Sequence, residues 1–275
     1  QQSVVASHLL RVPNTMTRIA TWNINGLRAR IDYIQHWLAA RAPDVVGFQE
    51  LKITDELFPR DVFEALGYHV VTHGQKAWNG VAVLTRKPVE VVQAGLPGQA
   101  GFGARLLTVD LGDIEYTTVY CPNGKKVEHD DYPRKLAWFD ALRIYMSERL
   151  ASGSPHILCG DFNICPGPLD SWDEGGHEGR IFHTDGERER MQALYACGLV
   201  DAYREQNPDS QAFSWWDYRA GSFQRNQGLR IDFLLTSPAL MPQVESVTID
   251  RDYRKKKDGL TASDHAPVYL DLQAG

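Results

Sequence analysis

Apolar residues along the chain fall into short runs separated by turn-forming residues. Runs at 18–22, 45–48, 68–72, 80–85, 88–93, 104–111, 114–120, 156–160, 230–236, 244–249 and 266–272 are rich in Val, Ile, Leu and Tyr. Most are bounded by Gly, Pro, Asn or Asp, so each predicts a β-strand. Helical spacing appears between some of them. Ile31, Ile34, Trp37 and Leu38 predict a helix near 28–41. Leu136, Phe139, Leu142, Met146 and Leu150 stripe a longer one near 132–150, with Pro133 in its first turn. Met191, Leu194 and Tyr195 suggest a third near 187–197. Strands come singly between helices and in bunches, as at 80–120. No Gly/Ser linker or charge block divides the chain. The pattern predicts one mixed, layered α/β domain over residues 16–275.

Composition changes that picture little. The 275 residues are 43% hydrophobic and 23% charged, ordinary values for a soluble globular protein. The apolar runs fall far short of the ~18 residues of a membrane span. Residues 1–15 lack the apolar core of a secretory signal and read as an upstream extension outside the fold. Cys121, Cys159, Cys165 and Cys197 form no C-x-x-C pair, which argues against zinc and for buried thiols in a reducing compartment. The net charge of −6 argues against coating nucleic acid by bulk charge. A local basic surface stays compatible with it.

Candidate chemistry sits where the strand patterns end. Asn23 and Asn25 follow 18–22, Gln49 and Glu50 follow 45–48, and Asn123 closely follows Tyr120. Asp161 and Asn163 follow 156–160, Asp232 lies inside an apolar run, and Asp264 and His265 immediately precede 266–272. Each has a plainer reading. Asn and Asp are common turn formers after strands, and Asp232 could be a buried carboxylate paired with an arginine. Together they describe a chemistry. If Glu50, Asp161, Asp232 and Asp264 converge, they repel one another and any anionic substrate. A hard divalent cation held through oxygen ligands removes that conflict. One histidine among them can neutralise charge developing on a phosphate oxygen. A carboxylate beside an Asn can hold and deprotonate water. The set points to a metal-assisted phosphodiesterase.

These blocks resemble a known family. Thr21-Trp22-Asn23-Ile24-Asn25-Gly26, Gln49-Glu50-Leu51-Lys52, Tyr120-Cys121-Pro122-Asn123, Gly160-Asp161-Phe162-Asn163, Gly228-Leu229-Arg230-Ile231-Asp232 and Ser263-Asp264-His265 are similar, in this order, to the signatures of the endonuclease/exonuclease/phosphatase superfamily. Within it the chain resembles the exonuclease III, or class II apurinic/apyrimidinic endonuclease, family from about Met16 to its end. Phe213 to Arg219 points to the DNA-repair branch. The resemblance implies a four-layer α/β sandwich, two packed mixed sheets flanked by helices. It implies that Asp161 positions or activates the attacking water, oriented by Asn163. Glu50 would hold the principal magnesium or manganese, helped by Asn23 and Asn25, with Asp264 at a second or alternative metal position. His265 would contact the scissile phosphate and be fixed by Asp232, and Tyr120 and Asn123 would contact the phosphate or the metal shell. One or two ions, and either Asp161 or Tyr120 as base, fit the resemblance. Some relatives carry an acid where Asn25 stands, so weaker or differently placed metal binding is expected here.

An acidic protein that grips DNA must cluster its bases. Candidates are Lys125 and Lys126; Arg28 and Arg30; Arg219, Arg225, Asn226 and Arg230; and Arg254 to Lys257, notably Lys255 and Lys256. For the last run alone, a solvated loop is the plainer reading. Trp215, Leu229 and Ile231 are core residues on a plain reading. On the family reading they line a small pocket that admits a flipped deoxyribose lacking its base. The expected protein is a monomeric, cytoplasmic enzyme without a small-molecule cofactor. Its substrate is duplex DNA with abasic sites or blocked 3′ ends. The alternatives are a phosphodiesterase for lipid or inositol phosphates and a non-catalytic DNA-binding protein.

Overall fold

The structure is a computed structural model that describes residues 16–274, so the extension at 1–15 lies outside the described residues. Two six-stranded sheets form its centre. The first holds β1 (Thr17–Asn23), β2 (Val45–Gln49), β3 (His69–His73), β4 (Val81–Thr85), β11 (Val244–Ile249) and β12 (Val268–Leu272), in the order β11-β12-β1-β2-β4-β3. The second holds β5 (Glu90–Ala94), β6 (Leu106–Asp110), β7 (Glu115–Tyr120), β8 (His156–Asp161), β9 (Val200–Asp201) and β10 (Asp232–Thr236), in the order β5-β6-β7-β8-β10-β9. The helices are α1 (Leu27–Arg41), α2 (Arg60–Glu64), α3 (Asp131–Leu150), α4 (Glu174–His177), α5 (Asp185–Ala196) and α6 (Ala202–Gln206).

Both sheets are mixed. Among the described strand pairs, β1–β2 and β7–β8 are parallel, and the rest are antiparallel. A parallel pair needs a crossover. α1 carries the first and α3 the second. α1 covers the outer face of the first sheet, where Tyr33, Ile34 and Trp37 pack against Trp22 and Phe48. α3 and α5 cover the second sheet, where Phe139, Leu142, Met191 and Leu194 meet Leu158 and Phe233. The result is the four-layer sandwich that the family resemblance implies.

The period of two explains why the central strands read as unbroken apolar runs. In β1, Ile19 faces the gap between the sheets while Ala20 and Trp22 face α1. In β8, Ile157 and Cys159 face the gap while Leu158 faces the helices. Both faces are dry, so neither needs polar residues. Toward one edge the inner layer turns polar. Gln49 Nε2 donates to Thr21 Oγ1 and Thr118 Oγ1, each at 2.9 Å. One step further along the same faces stand Asn23, Tyr120 and Asp161, two residues beyond Thr21, Thr118 and Cys159.

The short elements escaped the sequence patterns. β9 has two residues, and α2, α4 and α6 have four or five, too few to show a period. The run at 230–236 joins the ladder only from Asp232. The buried stripe of α3 contains the predicted Phe139, Leu142 and Met146, but also Lys135, Trp138 and Tyr145, whereas Leu136 and Leu150 are half-buried.

Gly47 sets the spacing between the sheets. A Cβ there would lie 2.5 Å from Tyr116 Oη and 2.6 Å from Thr118 Oγ1. Tyr116 Oη donates across the gap to the Ala20 carbonyl at 2.7 Å, so it cannot retreat freely. Gly47→Ala should therefore destabilise by about 1–3 kcal/mol through overpacking. Urea unfolding checks this: the midpoint should fall, and an unchanged midpoint would remove this reading of Gly47.

Candidate active site

Strand register builds the site. Tyr120 of β7 pairs with Asp161 of β8, and Asp161 pairs with Asp232 of β10. Three neighbouring strands thus end in one row of polar side chains. Asp161 and Asp232 are 1% and 2% exposed. His265 enters from the loop before β12, with Nδ1 2.8 Å from Asp232 Oδ2 and Nε2 3.5 Å from Asp161 Oδ2. Its loop is anchored by Trp22 Nε1 donating to the His265 carbonyl at 3.1 Å and by Ser263 Oγ donating to the Asn23 carbonyl at 2.7 Å.

The first sheet supplies the opposite wall. Glu50 follows β2 with φ of 59°, and Asn25 and Lys52 also have positive φ. Such conformations cost roughly 1–3 kcal/mol each and persist only where surroundings impose them. Here the loops after β1 and β2 are zipped together: Gly26 N–H donates to the Glu50 carbonyl at 2.8 Å and Leu27 N–H to that of Leu51 at 3.0 Å. Leu51 itself is buried. Glu50 Oε1 accepts from Tyr120 Oη at 2.9 Å, and Oε2 lies 3.1 Å from Lys52 Nζ.

Electrostatics separate the roles. Burial opposes a charge on His265, but Asp232 and Asp161 more than offset it and hold its pKa up, at about 10. Burial raises the Asp161 pKa, and Asp232 adds to the rise while His265 opposes it. Burial also drives the Tyr120 phenol well above its ordinary range, reinforced by Glu50 and Asp161. Tyr120 is therefore held as a hydrogen-bond donor.

The donor set suits a hard cation. Asn23 Nδ2 bridges Glu50 Oε1 at 3.2 Å and Asp161 Oδ2 at 2.9 Å, so an amide group sits where two carboxylates converge. Ligand atoms of Asp161, Asp232 and His265 all lie within 4.8 Å of one another, and among the described residues Asp232 Oδ1 is buried without a hydrogen-bond partner. This acidic cluster could bind a metal. Oxygen donors around Glu50 and Asp161 fit magnesium or manganese better than zinc. The asparagines are differently engaged. Asn23 Oδ1 accepts from Asn25 N–H at 3.0 Å, and Asn25 Oδ1 accepts from Lys52 Nζ at 2.9 Å. Asp264 Oδ2 accepts from Trp215 Nε1 at 3.0 Å, at the rim rather than within the cluster.

The remaining candidates divide. Asn163 is buried, with Nδ2 donating to the Cys121 carbonyl at 2.9 Å. Trp215 packs with Leu229 and Ile231, joined by Cys165 and Phe182. Asn123, Lys125 and Lys126 are exposed on the loop after β7, although Lys125 Nζ also lies 3.1 Å from Asp131. Arg219 and Arg225 are exposed, Arg219 pairing with Asp217 at 2.8 Å. Asn226 Oδ1 accepts from Trp216 Nε1 at 3.0 Å. Lys255 and Lys256 are exposed, whereas Arg254 turns inward to the Trp216 carbonyl. Arg230 is corrected. It is 1% exposed and pairs with Asp170 at 2.7 Å and Asp201 at 2.6 Å, so it braces the fold and offers DNA no charge.

Sequence reasoning gave no role to Ser214, whose Oγ donates to Asp232 Oδ2 at 2.7 Å while accepting from the Ile231 and Asp232 N–H groups. It also gave none to Lys52, the cation between Glu50 and Asn25. Both lie in quoted motifs, but neither residue type signals a site alone.

A carboxylate cluster suited to a hard cation, beside a charged imidazole at a sandwich edge, defines a phosphoester hydrolase. The Endonuclease/Exonuclease/phosphatase family matches residues 20–265. Exodeoxyribonuclease III of Haemophilus influenzae is 36% identical over 269 residues, covering 93% of this chain and 100% of that protein. The structure of a 3′ phosphatase, NExo, from Neisseria, bound to a product DNA hairpin, aligns at TM-score 0.90 and 34% identity, covering 94% of this chain and 100% of its own. An AP endonuclease structure from Archaeoglobus fulgidus aligns at TM-score 0.89 and 29% identity, with the same coverage of 94% and 100%. The chain belongs to the endonuclease/exonuclease/phosphatase family, in its exonuclease III and AP endonuclease branch.

The His265 charge yields a pH prediction. Its folded pKa is raised, so the stabilising charge is fully present below its ordinary 6.5 and is lost as pH rises through about 10. Asp232→Asn removes the largest supporting charge. The alkaline limb of kcat/KM should then move at least about one unit toward acid. A limb that stays in place would contradict the assignment.

Proposed function

We propose that this protein is a divalent-metal-dependent DNA-repair nuclease. It cuts the backbone 5′ to abasic sites, leaving a 3′-hydroxyl and a 5′-deoxyribose phosphate. It also clears 3′-blocking groups and removes nucleotides from duplex 3′ ends. The observation that carries this reading is the buried row of Asp161, His265 and Asp232 beside Glu50. The exodeoxyribonuclease and AP endonuclease relatives support it. It works as a monomer in the cytoplasm and needs no small-molecule cofactor.

Glu50 and Asp161 would hold magnesium or manganese, with Asn23 between them and Asp264 as an alternative position. The bound ion supplies charge neutralisation at the phosphate. The chain does the rest. Asp161 positions a water and accepts its proton. Asn163 fixes the loop beside it. His265 presents Nε2–H to a phosphate oxygen and keeps its charge because Asp232 holds Nδ1. Tyr120 and Asn123 complete the phosphate contacts. Trp215, Leu229 and Ile231 form the wall against which a base-free sugar lodges, and an intact nucleotide is too large for it. Lys125, Lys126, Arg219, Arg225, Asn226, Lys255 and Lys256 contact flanking DNA without reading sequence.

A labelled duplex carrying one synthetic abasic site tests this, beside an undamaged duplex, in magnesium, manganese or EDTA. One metal-dependent cut at the lesion is expected. A ladder on undamaged DNA alone would reassign the main activity to the exonuclease. No cleavage of either duplex would discard the DNA reading and direct assays to lipid and inositol phosphates.

Asp161→Asn should lower kcat by ~10²–10⁴-fold while DNA affinity changes little; an unchanged rate would exclude Asp161 as base. Lys125→Gln with Lys126→Gln should raise KM and flatten the slope of log affinity against log salt by about 1–2. An unchanged slope would place these lysines off the DNA.

A further inference from the structure

A buried ion pair behind the site joins its three loops. Lys135 of α3 and Glu187 of α5 are both fully buried and paired through Nζ and Oε2. Lys135 Nζ also donates to the Asn163 carbonyl at 2.6 Å and the Asn123 carbonyl at 3.1 Å. Its stem packs under Gly124, where φ is +81° and a Cβ would lie 2.9 Å from Lys135 Cδ. Glu187 Oε2 accepts from Phe182 N–H at 3.1 Å, while Oε1 accepts from Thr184 N–H at 3.2 Å and Thr184 Oγ1 at 2.8 Å. Phe182 packs against the Cys165, Leu229 and Ile231 cluster.

Burying both charges is costly, and apolar residues of similar size often stabilise as well or better. Stability alone therefore accounts poorly for a lysine on the buried stripe of a helix. What apolar residues could not do is hold three backbone segments at one point. Asn163 sits at φ 49° and Phe182 at φ 73°, conformations that need outside support.

We propose that Lys135 is a positioning residue for catalysis, with Glu187 supplying its counter-charge. The Lys135 ammonium ties the Asn123 and Asn163 loops, which face the phosphate, to one point on α3. This rests on the nuclease reading above. Small displacements of such loops act on turnover more than on stability.

The test is the double variant Lys135→Met with Glu187→Gln, neutral and of matched size. It removes the ammonium's bonds to both carbonyls and keeps one amide oxygen at position 187 to accept from Thr184. Leu142→Ala, on the same helix but remote from the loops, controls for lost stability. On the abasic duplex, the double variant should lose kcat by about 10–100-fold, with KM within about threefold and Tm no lower than in the control. Glu187→Gln alone keeps the amine and its carbonyl bonds, so it should retain kcat within about threefold of wild type. Wild-type kcat in a folded double variant would overturn the proposal. So would a loss in Glu187→Gln as large as that expected of the double variant, even if the double variant does not fold. Wild-type protein that cleaves neither duplex would instead refute the nuclease reading itself.

Discussion

One imidazole balances two buried carboxylates, and the site depends on that balance. Asp161 and Asp232 end adjacent strands in register, and neither reaches bulk water. Two like charges about 4 Å apart repel by ~4 kcal/mol at an effective dielectric of 20. His265 lies between them and carries the offsetting charge. Burial is the main cause of the raised Asp161 pKa, with the Asp232 charge adding to it, while the same two carboxylates raise the pKa of His265.

The sandwich makes this arrangement from simple periodicity. Residues two apart share a face, so the strands that build an apolar layer at Ile19, Tyr116 and Ile157 deliver Asn23, Tyr120 and Asp161 at its end. The transition runs through Thr21, Thr118 and Gln49, whose hydrogen bonds satisfy one another inside the gap. Loops after the strands then need only a few residues to close the site. Several adopt left-handed backbone conformations there, held by bonds between loops rather than by any one loop's own sequence.

Much of this was legible in the sequence. Asp161 and His265 stood at the ends of strand patterns and Asp232 inside one; register pairs the two carboxylates, and the loop before β12 brings His265 to them. Glu50 was ambiguous alone, because its place depends on the zipped β1 and β2 loops. Arg230 misled for a physical reason: a lone arginine in an apolar run looks like a surface base, and its partners Asp170 and Asp201 lie 60 and 29 residues away in sequence. Lys135 was invisible because helical periodicity counts lysine as polar and assigns it outward. Ser214 was quoted within an aromatic block, where its hydroxyl carried no signal. What the sequence concealed was mostly long-range pairing of polar groups, which no local pattern records.

The central claim is that His265 is a persistent imidazolium held by Asp232 and Asp161. Nitrogen-15 NMR of the histidine side chains in the metal-free protein at pH 8 tests it most directly. Both ring nitrogens of His265 should be protonated and show the closely spaced shifts of an imidazolium. Widely separated shifts from a neutral, single tautomer at that pH would contradict the account.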